Sequence, residues 1–204
     1  MYGGAFDPPH LGHVAMAKAF MAQCQLDRLY IVPTGQAWHK PSRLCAPSHR
    51  LAMSQLAFAG LDRATVSDAE LALDGPSYTI DTLTQLAHQH PVAEWFLLIG
   101  QDQWAALHTW HRWRDIANRV TIVVADRLHA TCGEVGFTSE NAHTAVRGLP
   151  VPMHLDWVPV GVSSTEIRSL FARFALPGPD TSHLLAAPVA SYISQHQLYN
   201  NTNV

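Results

Sequence analysis

Short, continuous apolar runs alternate with segments of helical hydrophobic spacing along this 204-residue chain, and that alternation constrains the fold more than any other feature. Leu29-Tyr-Ile-Val-Pro33, Trp95–Ile99 and Val120–Ala125 have the length of strands and almost no polar face, as expected of strands covered on both sides. Between them, Leu11–Gln25 places Leu11, Val14, Ala15, Ala19 and Ala22 at helical spacing. A second helix is predicted from a cap at Ser48 to about Leu61, with Leu51, Leu56 and Phe58 on its apolar side, and a third over Tyr78–His88 with Ser77 as its cap. Shorter strands are expected at Ala64–Val66, around Glu70–Leu73 and within Met153–Pro159, and helices at Ser163–Phe174 and Pro188–Gln197. Strands alternating with helices imply an α/β fold with a parallel sheet. The Ala130–Pro152 stretch is read as a loop because strands flank it.

The length suits a single domain over residues 1–204, and 48% apolar against 14% charged residues can bury a core. A net charge of -3 gives no global positive field for long nucleic acid, while leaving room for a local anion pocket. No apolar run reaches the roughly 18–20 residues of a membrane helix. Three scattered cysteines (Cys24, Cys45, Cys132) form neither a disulfide framework nor a CxxC metal site, which makes a reducing cytoplasm the expected compartment. Most histidines, among them His88, His90, His129, His143, His183 and His196, sit in polar stretches and are read as solvated. Oligomeric state is not encoded in any of these features.

Chemistry concentrates first in Gly3-Gly-Ala-Phe-Asp-Pro-Pro-His-Leu-Gly-His13. Two glycines, a turn-prone Asp-Pro and a helix start describe a loop that a ligand can approach closely. His10 and His13, three apart in the first helical turn, can face one side, with Gly12 between them removing a side chain from that approach. A helix N-terminus favours phosphate, and imidazoles able to carry positive charge would add to that. Two surface histidines, or a zinc pair lacking a third ligand at recognisable spacing, are the alternatives. The second concentration is Val162-Ser-Ser-Thr-Glu-Ile-Arg168, where Ser163 and Glu166 form a capping box. Ser164, Thr165 and the first-turn amides would make a second anion site within reach of Arg168. Alone, that motif is merely a helix cap.

Together the two strings resemble the adenylyltransferase/cytidylyltransferase superfamily, marked by GGxFDPxHxGH near the N-terminus and (I/V)SSTxIR near the C-terminus. His39-Lys40, Gly75-Pro-Ser-Tyr-Thr79 with Thr82-Leu83, Ile99-Gly-Gln-Asp102, Thr109-Trp-His-Arg-Trp113 and the closing Pro188–Ile193 and Leu198-Tyr199 narrow the resemblance to the nicotinate-nucleotide adenylyltransferase family. It spans nearly the whole chain. Where that family has Arg-Pro-Gly after its fifth strand, this chain reads Arg127-Leu-His129. Only Met1-Tyr2 precedes the glycines, so the first strand is expected to be truncated.

The resemblance implies a Rossmann-like, doubly wound parallel sheet. It implies adenylyl transfer from ATP to nicotinate mononucleotide, forming the deamido-NAD dinucleotide and pyrophosphate in NAD biosynthesis. It assigns catalysis to His10, His13 and Arg168. ATP binding falls to Gly4, Ala5, Phe6, Gly100, Asp102, Ser164 and Thr165, with Asp102 on a ribose hydroxyl. The mononucleotide falls to His39, Lys40, Tyr78, Thr79, Trp110 and His111, with Trp110 stacked on the pyridine ring. No carboxylate cluster suggests a metal cage, so Mg²⁺ is expected to arrive on the ATP phosphates. Nicotinamide mononucleotide, phosphopantetheine or another phosphate ester remain alternative acceptors, as does a nucleotide-binding protein without turnover or a His-rich metal binder.

Overall fold

The computed structural model describes residues 1–35, 44–71, 75, 77–125, 151–173 and 180–200. The chain divides into two compact units, one of residues 1–77 with 157–204, the other of residues 78–156. In the first unit, β1 (Tyr2–Gly4), β2 (Leu29–Pro33) and β3 (Ala64–Val66) run parallel in the order β3-β2-β1. All five residues of β2 are buried, as its unbroken apolar run requires. The first strand is three residues long and takes in both glycines, pairing Tyr2, Gly3 and Gly4 with Ile31, Val32 and Pro33. The glycines therefore belong to the sheet rather than to the loop that follows.

The first two helices lie where the sequence reading puts them. α1 spans Leu11–Gln23, and α2 spans Pro47–Phe58. The cap of α2 is Ala46 rather than Ser48, because Pro47 occupies the first helical position, where its missing N–H costs nothing. Its buried side is Arg50, Met53, Ser54 and Phe58, while Leu51 and Leu56 are half-buried, so the apolar stripe drawn from sequence was rotated. Farther along, α6 (Ser164–Arg173) and α7 (Ala187–Gln195) close an apolar cluster of Met53, Ile167, Phe171, Leu185, Val189 and Ile193. Fully burying each such side chain contributes about 1.5–3 kcal/mol, enough to fix α6 against α2.

In the second unit, β4 (Phe96–Gly100), β5 (Thr121–Ala125) and β6 (Met153–His154) are parallel in that order. Leu97, Leu98, Ile122, Val123 and Val124 are all buried. The helices here are α3 (Thr79–Gln89), α4 (Gln101–Ala106) and α5 (Trp113–Arg119), with a 3-10 turn at Leu107–Thr109. Tyr78, not Ser77, is the cap of α3; the Ser77 hydroxyl instead donates to Glu70 Oε2 at 2.9 Å. Glu70 and Leu71 form a turn rather than the expected strand. The Arg127-Leu-His129 departure and most of the 130–152 loop lie outside the described residues. No helix among the described residues is long and apolar enough to cross a membrane.

Candidate active site

The glycine-rich string builds a loop whose parts lock one another. Phe6 takes a left-handed backbone (φ 47) that tucks its ring under the loop, where it is 1% exposed. That ring meets Tyr2, His13 and Phe58 edge-on, at centroid separations of 5.3, 5.2 and 5.6 Å. A Cβ on Gly4 would lie 3.0 Å from the Phe6 ring, so Gly4 serves this fold-back. The Phe6 side chain thus belongs to the core, and any ligand contact at Gly4 or Phe6 falls to the main chain.

Four residues after Phe6, at His10, the chain enters α1 through a reciprocal cap. The His13 amide donates to His10 Nδ1 at 3.3 Å, and the His10 amide to His13 Nδ1 at 3.1 Å. Their rings stack with centroids 3.6 Å apart. Because both Nδ1 atoms accept, each neutral ring carries its proton on Nε2. Protonating either Nδ1 would break a helix cap, and a cation at a helix N-terminus is disfavoured by the dipole. In this geometry both rings accept at Nδ1 and turn Nε2 away from the cap as a donor. Gly12 is packed closely as well. A Cβ there would lie 3.0 Å from His10 Nδ1 and 3.2 Å from Val162 Cγ1, so the missing side chain makes room for the His10 ring.

The second motif closes on the same loop. Ser163 caps α6 as expected: its amide and hydroxyl donate to Glu166 Oε2 at 3.0 and 2.9 Å, and the Glu166 amide returns to Ser163 Oγ at 3.2 Å. Ser164 Oγ donates to the Pro8 carbonyl at 2.9 Å, and Arg168 Nη1 to the Asp7 carbonyl at 2.6 Å. Arg168 Nη2 also donates to Thr165 Oγ1 at 3.2 Å. These side chains clasp the loop beside His10, and the Ser164 and Thr165 amides with the other Arg168 donors lie at the same helix start, where an anion is favoured.

Sequence reasoning missed Arg50. Its guanidinium is 1% exposed and donates to four carbonyls: Cys45 at 3.0 Å, Ala5 at 3.0 Å, Thr34 at 2.6 Å and Gly35 at 3.1 Å. Burial pulls its pKa below the ordinary guanidinium value, and the neighbouring Asp7 opposes that shift. One cation thus ties the β1–α1 loop to the end of β2 and the start of α2. A lone arginine in register with Met53 and Ser54 was the available signal. Missed too was Asp7, 3% exposed, whose Oδ2 accepts from the Cys45 amide at 3.2 Å. Cys24 and Cys45 are both free thiols.

In the second unit, Gly100 caps α4 and Asp102 lies in its first turn, exposed. A Cβ on Gly100 would lie 2.7 Å from Asp102 Oδ1, so the carboxylate folds back over bare backbone at the end of β4. An ionised carboxylate only accepts, which suits it to a hydroxyl. Tyr78, 38% exposed, lays its ring on His111 at 4.3 Å. Thr79 opens α3 beside it, and the half-buried Trp110 ends the 3-10 turn next to His111. Tyr78 and His111 are therefore brought together as expected, whereas His39 and Lys40 lie outside the described residues. Among the described residues no group of three or more His, Cys, Asp or Glu is placed to hold a metal.

A parallel α/β architecture with a paired-histidine helix cap, clasped by a second helix start, defines a nucleotidyltransferase. Residues 1–170 match the cytidylyltransferase-like family. A protein of Albidiferax ferrireducens named "Probable nicotinate-nucleotide adenylyltransferase" is 44% identical over 98% of this chain and 96% of its own. One from Neisseria meningitidis serogroup B with the same name is 37% identical over 98% and 96%. The chain belongs to the nicotinate-nucleotide adenylyltransferase family. Among solved structures, Plasmodium falciparum nicotinic acid mononucleotide adenylyltransferase complexed with NaAD resembles it with a TM-score of 0.71 at 17% identity, covering 97% of this chain and 95% of that one. That likeness shows the fold, of the Rossmann-like parallel kind expected.

Proposed function

We propose that this enzyme transfers the adenylyl group of ATP to nicotinate mononucleotide, releasing pyrophosphate and forming the deamido-NAD dinucleotide, as a step of NAD biosynthesis in the cytoplasm. The observation that carries it is the stacked His10–His13 pair presenting two Nε2–H donors from a rigid cap. An oxygen of the mononucleotide phosphate attacks the α-phosphorus of ATP; that P–O bond forms as the bond to the β-phosphate bridging oxygen breaks. The nucleophile is already an anion, so no side chain need remove a proton. Catalysis is positioning and charge stabilisation.

The imidazole N–H donors meet charge building on the α-phosphate and the leaving pyrophosphate. The first-turn amides of α6 at Ser164 and Thr165, with Arg168, hold the β- and γ-phosphates. The backbone at Gly4 and Gly100 lies along the nucleotide, and Asp102 accepts from a ribose hydroxyl. Tyr78, Thr79, Trp110 and His111 receive the pyridine mononucleotide, with His39 and Lys40 on its phosphate. The α3 start supplies N–H groups for a carboxylate, which favours the acid over the amide. The substrate is ATP with its Mg²⁺, and residues 1–204 act as one catalytic domain. Isotope placement tests this: label on the α-phosphate must appear in the dinucleotide and label on the γ-phosphate in pyrophosphate. Release of inorganic phosphate instead would refute adenylyl transfer.

A further inference from the structure

We propose that Tyr199 is a positioning residue for adenylyl transfer: its hydroxyl fixes the Asp7 carboxylate and, through it, the loop that aims His10 and His13. The proposal rests on the functional reading above and adds a residue to it.

Tyr199 Oη donates to Asp7 Oδ1 at 2.7 Å. With the Cys45 amide on Oδ2, both oxygens of this buried carboxylate are held from outside the loop. Burial, reinforced by the Asp7 charge, pushes the Tyr199 phenol far above its ordinary pKa. The phenol therefore stays a donor, and the bond keeps one direction.

The backbone is bent to make this contact. After α7 the Leu198 amide returns to the Ile193 carbonyl at 3.0 Å and the Gln197 amide to Ser194 at 3.2 Å, a Schellman closure. Gln197 (φ 51) stands where glycine is usual, and Tyr199 (φ 66) is left-handed as well. Two non-glycine residues in that region so close together persist where their surroundings hold them. The Tyr199 ring packs on the Met53–Ile193 cluster, its hydroxyl 3.9 Å from Met53 Sδ.

The loop's other anchors are Arg50 on the Ala5 carbonyl, Arg168 on the Asp7 carbonyl and Ser164 on the Pro8 carbonyl. All of these hold main chain; Tyr199 is the side chain that holds the loop's one carboxylate. Freed, that anion could turn toward the incoming polyphosphate and slacken the chain three residues before His10.

Tyr199→Phe keeps the ring and removes the hydroxyl. Per folded molecule, kcat is expected to fall about tenfold, while KM for each substrate stays within about threefold. In ¹⁵N-histidine spectra the wild type is expected to hold His10 and His13 as Nε2–H tautomers, and the variant to show mixed tautomers at both. Asp7→Asn, measured alone and combined with Tyr199→Phe, is expected to give losses that do not add. If Tyr199→Phe does not fold, Asp7→Asn decides by the same two readouts. A merely structural tyrosine would lower the folded fraction and leave kcat per folded molecule and both tautomers unchanged, and that result overturns the proposal. Wild-type turnover tests the functional reading separately, since the tautomer spectra decide Tyr199 whether or not the wild type turns over.

Discussion

Gly12→Ala separates the stability of α1 from the aim of its histidines. The added methyl would lie 3.0 Å from His10 Nδ1, 3.1 Å from His10 Cε1 and 3.2 Å from Val162 Cγ1. Contacts that tight require a shift of a few tenths of an ångström, and the His10 ring is the partner able to rotate. Its link to the His13 amide is already long at 3.3 Å, so a small rotation breaks it. Loss of a helix cap costs about 0.5–2 kcal/mol. Replacing glycine by alanine in a helix contributes up to about 1 kcal/mol in the opposite direction. The two nearly cancel, and at roughly 2–4 °C per kcal/mol for a chain of this size the thermal midpoint should move by only a few degrees. Activity should not be spared, because a misplacement on the order of 1 Å at a reacting centre can cost about a hundredfold. Calorimetry and pyrophosphate-release kinetics on the same preparation measure both quantities. A Gly12→Ala enzyme with at least half the wild-type kcat would refute the claim that this glycine exists to seat His10.

His13→Ala should lower kcat by about 10²–10³, on the scale of removing one preorganised donor, with circular dichroism unchanged. Near-normal turnover would remove His13 from the phosphate site. Arg50→Met leaves four carbonyls without their donor and should destabilise the fold by about 3 kcal/mol or more, read as a lower denaturant midpoint at constant slope. A midpoint within error of the wild type would show that the guanidinium contributes nothing net.

How much of this was legible depended on whether a residue's role was local. The buried strands were readable because covered strands need unbroken apolar runs, and Leu29–Pro33 is buried at every position. The Ser163–Glu166 box was readable because both partners lie within one turn. The His10–His13 pair was legible in position but not in its reciprocal cap, since the Nδ1 contacts require backbone geometry. Ser48 and Ser77 misled for different reasons. Pro47 moved one cap to Ala46, and Glu70 drew the other serine's hydroxyl away. Arg50 and Tyr199 act across 45 and 192 positions of chain, and no local pattern distinguishes them from a surface cation and a packing aromatic. The Gly12 role was hidden similarly, because the atoms it clears belong to rotamers rather than to sequence spacing.

The central claim is tested most directly by initial rates of pyrophosphate release from ATP with nicotinate mononucleotide and nicotinamide mononucleotide side by side. The account predicts dinucleotide formation with the acid at a kcat/KM at least tenfold higher than with the amide, a preference that needs only about 1.4 kcal/mol from donors aimed at a carboxylate. No pyrophosphate with either pyridine mononucleotide would contradict adenylyl transfer itself. Equal kcat/KM for the two would leave the transfer standing and contradict the assignment of nicotinate mononucleotide as its acceptor.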